Sequence, residues 1–292
     1  MFIKDIKDEF YEDMASGMRE EAAKYGYPIN VELITKPRSS RDEQLRAFLA
    51  RAKPGSVVVL VDANYPMYRR DLREARRRSI PVFVADIPQS DGQQFVTSTI
   101  TSDNAEGGAQ AADVMCRALT SDRSSIAILD VFKNETRKGK VVRVDVAPDV
   151  GDRVRAFSAR IQANCRNAHI VKDENTNGTQ VAARVVTTTL LSEYRDLGGI
   201  FAFNDVTALG AARAIDDAGL TNAVRVVGFD AVPEGREAVA GGRLFGDVRQ
   251  FPDEIGRETV DQICRYASGG PSASPKVLIP TIEVDASNAT QQ

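Results

Sequence analysis

Three apolar runs in this chain each end in a polar side chain: Val82-Phe83-Val84-Ala85-Asp86, Ile200-Phe201-Ala202-Phe203-Asn204-Asp205 and Val226-Val227-Gly228-Phe229-Asp230. Such runs read as buried strands, and in open α/β sheets the carboxyl edge of the strands is where ligands bind. A carboxylate held there loses its water and needs hydrogen-bond donors in return. Sugar hydroxyls supply donors, often two from adjacent carbons, and a charge-assisted hydrogen bond contributes about 1.5–3 kcal/mol. Taken singly, each acid reads better as a helix cap or as the partner of an arginine. Asp86, Asn204 and Asp230 at three equivalent strand ends point instead to one binding site. Asp205 is placed as the N-cap of the helical pattern Ala208-Leu209-Gly210-Ala211-Ala212 that follows at once. Aromatic rings cover the apolar C–H faces of a sugar; Phe10 and Tyr11 suit that role or the ordinary core of a first helix.

The elements that must carry these residues alternate between strand and helix. Phe10, Met14, Gly17, Met18, Ala22 and Tyr25 recur at helical spacing, and Ile29 to Ile34 alternate like a strand. A helical stripe at Leu45, Phe48, Leu49 and Ala52 precedes the continuous apolar strand Val57–Val61, which suits a parallel sheet covered on both faces. Helix 66–79 and strand 81–85 repeat the unit, and a small-residue helix follows Ser102-Asp103-Asn104. A second series predicts strands at 126–131, 168–171, 200–203, 224–228 and 244–248. Helices are expected between and after them at about 153–165, 179–194, 205–218, 233–240 and 252–266, with a final strand near 276–284. The polar stretch Phe132 to Gly151 reads as an inserted loop or hairpin. At 292 residues, two lobes are expected.

Composition excludes several functions. A net charge of −3 gives no nucleic-acid footprint, and the arginine-rich stretch Arg69–Arg78 reads as a solvated helix face with Leu72 and Ala75 turned inward. The single histidine, His169, lies in a predicted strand and leaves little material for a histidine-dependent triad or a histidine-rich metal site, and no phosphate-binding or dinucleotide-binding glycine motif is present, so no cofactor is expected. The three cysteines, Cys116, Cys165 and Cys264, have no zinc spacing; they read as free, packed thiols, with one disulfide as the alternative. No apolar run approaches the roughly 20 residues of a membrane span. Phe2 and Ile3 read as the last residues of a first strand, so the numbering is expected to begin inside a longer precursor.

In this order and spacing the motifs resemble the ribose-binding-protein branch of the type I periplasmic binding proteins, a fold shared with lac-repressor-type effector domains. The residues concerned are Phe10-Tyr11 with Gly17, Ala22, Ala23 and Gly26; Ile80-Pro81-Val82 with Asp86; and Ser102-Asp103-Asn104 with Gly107-Gly108. Further along they are Asn204-Asp205 with Ala208 to Ala211, Val226 to Asp230 with Pro233-Glu234-Gly235, and Gln250 with Pro252 and Gly256. The resemblance implies an α/β fold of two Rossmann-like lobes with parallel sheets, joined by a three-segment hinge. One lobe would comprise 1–102 plus 250–282 and the other 103–249 plus 283–292. It further implies a ligand between the lobes, with Phe10 and Tyr11 as stacking rings and Asp8 standing where the family usually has Asn. Asp86, Asn204, Asp230 and Gln250 would bind hydroxyls, and Arg153 would reach the ring oxygen.

Ile87 stands where ribose binders of the family carry Arg, and the aromatic usual near Gly178 is absent, with Asn175 and Asn177 close by. These departures point to a related pentose, polyol or modified sugar. The implied function is a monomeric, periplasmic or extracytoplasmic solute-binding protein serving the membrane subunits of an ABC importer. The alternative is the sensing domain of a transcriptional regulator or receptor kinase. Asp230→Ala and Arg153→Ala are each expected to weaken binding far more than folding.

Overall fold

The computed structural model describes residues 1–3, 9–30, 32–33, 41–61, 68–88, 93–137, 140–145, 147–269 and 274–291. The chain forms two compact units, Met1–Ser102 with Phe251–Ile279, and Asp103–Gln250 with Pro280–Gln292. Gln250 and residues 280–282, expected with the first lobe, therefore belong to the second unit.

Unit 1 is built on a six-stranded, wholly parallel sheet. In spatial order it runs β13 (Lys276–Ile279), β5 (Ser98–Ser102), β4 (Val82–Ala85), β3 (Val58–Val61), β1 (Phe2–Ile3) and β2 (Glu32–Leu33). Side chains alternate across its strands. Val59, Val61, Phe83 and Ala85 meet α1 (Glu9–Lys24) and α9 (Pro252–Ala267) on one face. Val58, Leu60, Val82 and Val84 meet α2 (Arg41–Arg51) and α3 (Arg69–Arg77) on the other. Burial on both faces explains why these strands read as unbroken apolar runs. Helix α3 buries Leu72 and Ala75, as its pattern predicts. Gly17 and Gly256 let α1 and α9 touch backbone to backbone: a Cβ on either would lie 2.2 Å from a carbonyl oxygen of the facing helix.

Unit 2 carries a four-stranded parallel sheet in the order β11 (Arg225–Val227), β10 (Leu197–Ala202), β6 (Ser125–Asp130) and β9 (His169–Asn175). Helices α4 (Asn104–Ala118) and α5 (Pro148–Asn164) cover one face through Met115, Val154, Phe157 and Ile161, with Phe157 stacked on Phe201 at 4.2 Å between centroids. On the other face, α6 (Gln180–Glu193), α7 (Asp205–Asp217) and α8 (Pro233–Ala240) pack on Ala127, Leu129, Ile200 and Ala202. β12 (Asp247–Arg249) pairs antiparallel with β14 (Ile282–Val284).

Four local expectations are corrected. Strand β5 was not anticipated, because its sequence, Ser-Thr-Ile-Thr-Ser, is polar although wholly buried. The final strand expected near 276–284 is two strands, β13 in unit 1 and β14 in unit 2. Helix α5 starts at Pro148, so the irregular stretch is shorter than 132–151 and consists mainly of an antiparallel hairpin, β7 (Phe132–Arg137) and β8 (Lys140–Asp145). Cys116 and Cys165 form a disulfide that ties α4 to the end of α5, leaving only Cys264 free among the described residues.

Candidate ligand-binding site

The proposed site residues fall into two sets, one in each unit; Asp8 lies outside the described residues.

In unit 1, Phe10 and Tyr11 begin helix α1 and are both buried, with their rings edge to face at 5.4 Å. Tyr11 Oη donates to Asp86 Oδ2 at 3.4 Å. Asp86 follows β4, is buried, and takes a left-handed backbone with φ of 72°. Its amide N–H donates to the Ile100 carbonyl at 2.8 Å, so the sheet itself pins the turn. A non-glycine residue in that region is strained, and such strain persists only where the surroundings impose it. Ile87 is buried beside it and offers an apolar wall where an arginine would add donors.

In unit 2, Arg153 is the hub. It is 4% exposed and lies one turn into α5. Its Nε donates to Asn104 Oδ1 at 2.6 Å. Nη1 donates to the Phe203 carbonyl at 2.9 Å and to Asp230 Oδ1 at 3.3 Å. Nη2 faces Asp149 Oδ2 at 3.7 Å, and the guanidinium lies over the Phe229 ring at 4.0 Å from its centroid. Burial pushes the Asp149 carboxyl up from its ordinary value, and Arg153 pulls against that shift. Helix α4 can come this close to α5 because position 108 is glycine: a Cβ there would lie 2.2 Å from the Arg153 carbonyl oxygen.

Asp230 follows β11 with φ of 105°, a second strand-end aspartate in a left-handed backbone. Gln250 Nε2 donates to its Oδ1 at 2.6 Å. Its amide donates to the Val248 carbonyl at 2.9 Å, and its own carbonyl accepts from Gln250 at 3.1 Å. Asn204 is the N-cap of α7, its Oδ1 accepting the Thr207 amide at 3.1 Å, whereas Asp205 occupies the first helical turn. The cap expected at Asp205 therefore falls one residue earlier. Near Gly178 the aromatic surface comes from Phe203, whose ring lies 3.4 Å from where a Cβ on Gly178 would stand.

The unit 2 set thus brings together Arg153, Asp230 and Gln250, with Asn204 at the neighbouring strand end. Asn104, Asp149 and Phe229 join it without having been singled out. Asn104 and Phe229 sit inside motifs visible in the sequence; nothing local marks Asp149. The β7–β8 hairpin rises directly from β6, whose last residue Asp130 is buried and paired with Arg143. Arg143 also pairs with Asp173 and lies over Phe132 at 4.2 Å from its ring centroid, which anchors the hairpin to the sheet. Burial raises the Asp130 carboxyl to about 6, with the Asp173 charge adding to the rise. No cluster of three or more metal-ligating side chains occurs among the described residues.

The sequence matches the family model for the periplasmic binding protein domain over residues 1–271. The chain belongs to that family. Among its curated relatives, the ribose import binding protein of Escherichia coli is 25% identical over 269 residues, covering 91% of this chain and 84% of that protein. The D-allose-binding periplasmic protein of the same organism is 24% identical over 269 residues, covering 87% and 79%. A solute-binding protein of Agrobacterium vitis bound with α-D-tagatopyranose has the same fold, with a TM-score of 0.83 and 22% identity across 99% of this chain and 95% of that one. The Caulobacter myo-inositol binding protein gives a TM-score of 0.82 at 22% identity across 99% and 94%. As a periplasmic binding protein, this chain has the α/β, parallel-sheet fold class that its strand and helix pattern predicts.

Proposed function

We propose that this protein is a solute-binding protein that captures one small sugar or polyol through both residue sets and delivers it to an ABC importer. The observation that carries the reading is the repetition of one device in the two units. In each, a strand-end aspartate is set in a left-handed turn with an aromatic side chain in its immediate surroundings: Asp86, buried, with Tyr11, and Asp230, half-buried, with Arg153 and Phe229. Carboxylates accept hydrogen bonds from vicinal hydroxyls, the rings cover C–H faces, and the Arg153 fork offers rigid donors while balancing the surrounding acids. Asn204 and Gln250 add neutral donors and acceptors. A ligand held by both sets stabilises whichever arrangement lets both reach it.

Binding rather than catalysis fits this inventory, which holds no nucleophile–base pair and no recognisable cofactor motif. The named relatives are import or periplasmic binding proteins, which favours transport over a regulatory sensor. A periplasmic or extracytoplasmic location is supported by those relatives and by the Cys116–Cys165 disulfide, a bond that persists in oxidising compartments. The protein acts as a monomer, with the importer's membrane subunits as its partner.

A thermal-shift screen of the purified protein against pentoses, hexoses, polyols and inositols tests the reading. A ligand at about a hundred times its Kd stabilises the native state by about 2.7 kcal/mol. A blank across the whole panel, including D-ribose, D-allose and myo-inositol, would overturn it.

A further inference from the structure

Behind Asp230 lie two acids that the binding reading does not use. Asp205 opens helix α7 and is 2% exposed; Asp247 opens β12 and is 0% exposed. One oxygen of each is satisfied: Asp205 Oδ2 accepts the Val232 amide at 2.7 Å, and Asp247 Oδ1 accepts the Val248 amide at 2.7 Å. The other two, Asp205 Oδ1 and Asp247 Oδ2, have no donor. Both border Gly228, where a Cβ would lie 3.2 Å from the first and 2.7 Å from the second. Neither acid makes an ion pair among the described residues. Asp230 after β11 and Glu234 on α8 add further negative charge around them. Backbone amides offset only part of the repulsion between two ionised carboxylates in such a place, whereas a single proton turns the two remaining acceptors into one O–H···O hydrogen bond.

We propose that Asp205 and Asp247 share one proton, and that this proton fixes the Asp230–Val232 turn in the conformation that presents Asp230, which makes the two acids positioning residues for ligand binding. The proposal rests on the reading of Asp230 as a ligand contact. The turn needs such support: Asp230 and Ala231 both have left-handed backbones, with φ of 105° and 50°, and the Val232 amide ties the turn to Asp205. Loss of the proton places a second buried negative charge beside Asp230 and loosens that tie. The direction follows from the surroundings. Burial, the larger cause, holds Asp247 at about 7; burial and the Asp247 charge hold Asp205 well above its ordinary value. The proton is therefore present at acidic and neutral pH and is lost as pH rises further.

The test uses the whole chain and Asp247→Asn, whose amide N–H can replace the shared proton while its oxygen keeps the Val248 amide. Carbon-13 NMR of aspartate carboxyls, without ligand, should show two signals, assigned to Asp205 and Asp247 by their change in Asp205→Asn and Asp247→Asn, that titrate together above about pH 6, far from the ordinary aspartate range. If the signals of Asp205 and Asp247 both titrate below about 5, the shared proton does not exist. Hydrogen exchange at Val232 should show a protection factor that falls at least tenfold between about pH 6 and pH 9 in the native chain and stays level in Asp247→Asn. Equal loss in both proteins would overturn the positioning role. Calorimetry with D-ribose, D-allose and myo-inositol should show the same contrast in affinity: weakening by about tenfold in the native chain, and no trend in the variant. Absence of binding by all three would strike the functional reading, and the two ligand-free measurements would still decide the proton and the turn.

Discussion

Replacing Arg153 by alanine should damage the fold and the site together, because its side chain holds unit 2 together at a single point. The guanidinium is 4% exposed and satisfies the Asn104 oxygen, the Phe203 carbonyl and Asp230, while standing 3.7 Å from Asp149. Removing one partner of a buried charge pair costs about 3–5 kcal/mol, because the other charge stays buried without compensation. Here two carboxylates lose their cation, and the stacking of Arg153 on Phe229 adds about 1–2 kcal/mol. For a unit of this size each kcal/mol shifts Tm by roughly 2–4 °C, so the variant should melt on the order of 10 °C lower. Arg153→Lys keeps the charge and loses the fork, and should fall between the two. Differential scanning calorimetry gives the Tm; titration calorimetry below the variant's transition gives the loss of affinity for whichever sugar binds the native chain. A Tm within about 2 °C of the native value would refute the claim that this arginine organises the unit. From sequence alone the effect of Arg153→Ala was expected mainly in binding; the buried contacts assign a large share of it to folding.

The Cys116–Cys165 disulfide closes a loop of 49 residues, worth about 4 kcal/mol in the chain-entropy estimate, so reduction or Cys116→Ser with Cys165→Ser should lower Tm strongly. Unchanged melting under reductant would mean that the bond does not form. Gly108→Ala pushes a Cβ to 2.2 Å from the Arg153 carbonyl and should cost stability while leaving unit 1 intact; limited proteolysis should then cut within 103–250 first. Asp86→Gly and Asp86→Ala both remove the carboxylate and should both abolish tight sugar binding. Only alanine is strained at φ of 72°, so Asp86→Ala should be less stable than Asp86→Gly by about 1–2 kcal/mol in urea unfolding. Equal stabilities would show that the turn relaxes when its side chain is gone.

Much of the architecture was legible because its strands are buried on both faces. Val58–Val61 and Val82–Ala85 are solid apolar runs, and the second hands over to Asp86 at the sheet edge where a turn begins. What escaped was decided by contacts distant in sequence. Strand β5 hides its identity in buried hydroxyls: Ser98 donates to the Ser274 carbonyl at 2.5 Å, and Thr99 shares a hydrogen bond with Gln93 at 3.0 Å. The disulfide depends on α4 and α5 lying side by side, which no spacing rule reveals. Arg153 was picked out, yet its partners Asn104 and Asp149 were not, since one opens a helix and the other lies one turn back along α5. Asp205 read as a helix cap, and Asp247 as one residue of the strand expected at 244–248. Only the fold brings their carboxyls together beside Gly228.

The central claim is that one sugar or polyol is held by both residue sets. Its most direct test is titration calorimetry of the native chain, Asp86→Gly and Asp230→Ala against the compound that emerges from the thermal-shift panel. The account predicts saturable binding by the native chain at one site per chain, weakened at least a hundredfold by each substitution, although the two aspartates lie in different units. Full affinity in either variant would contradict it.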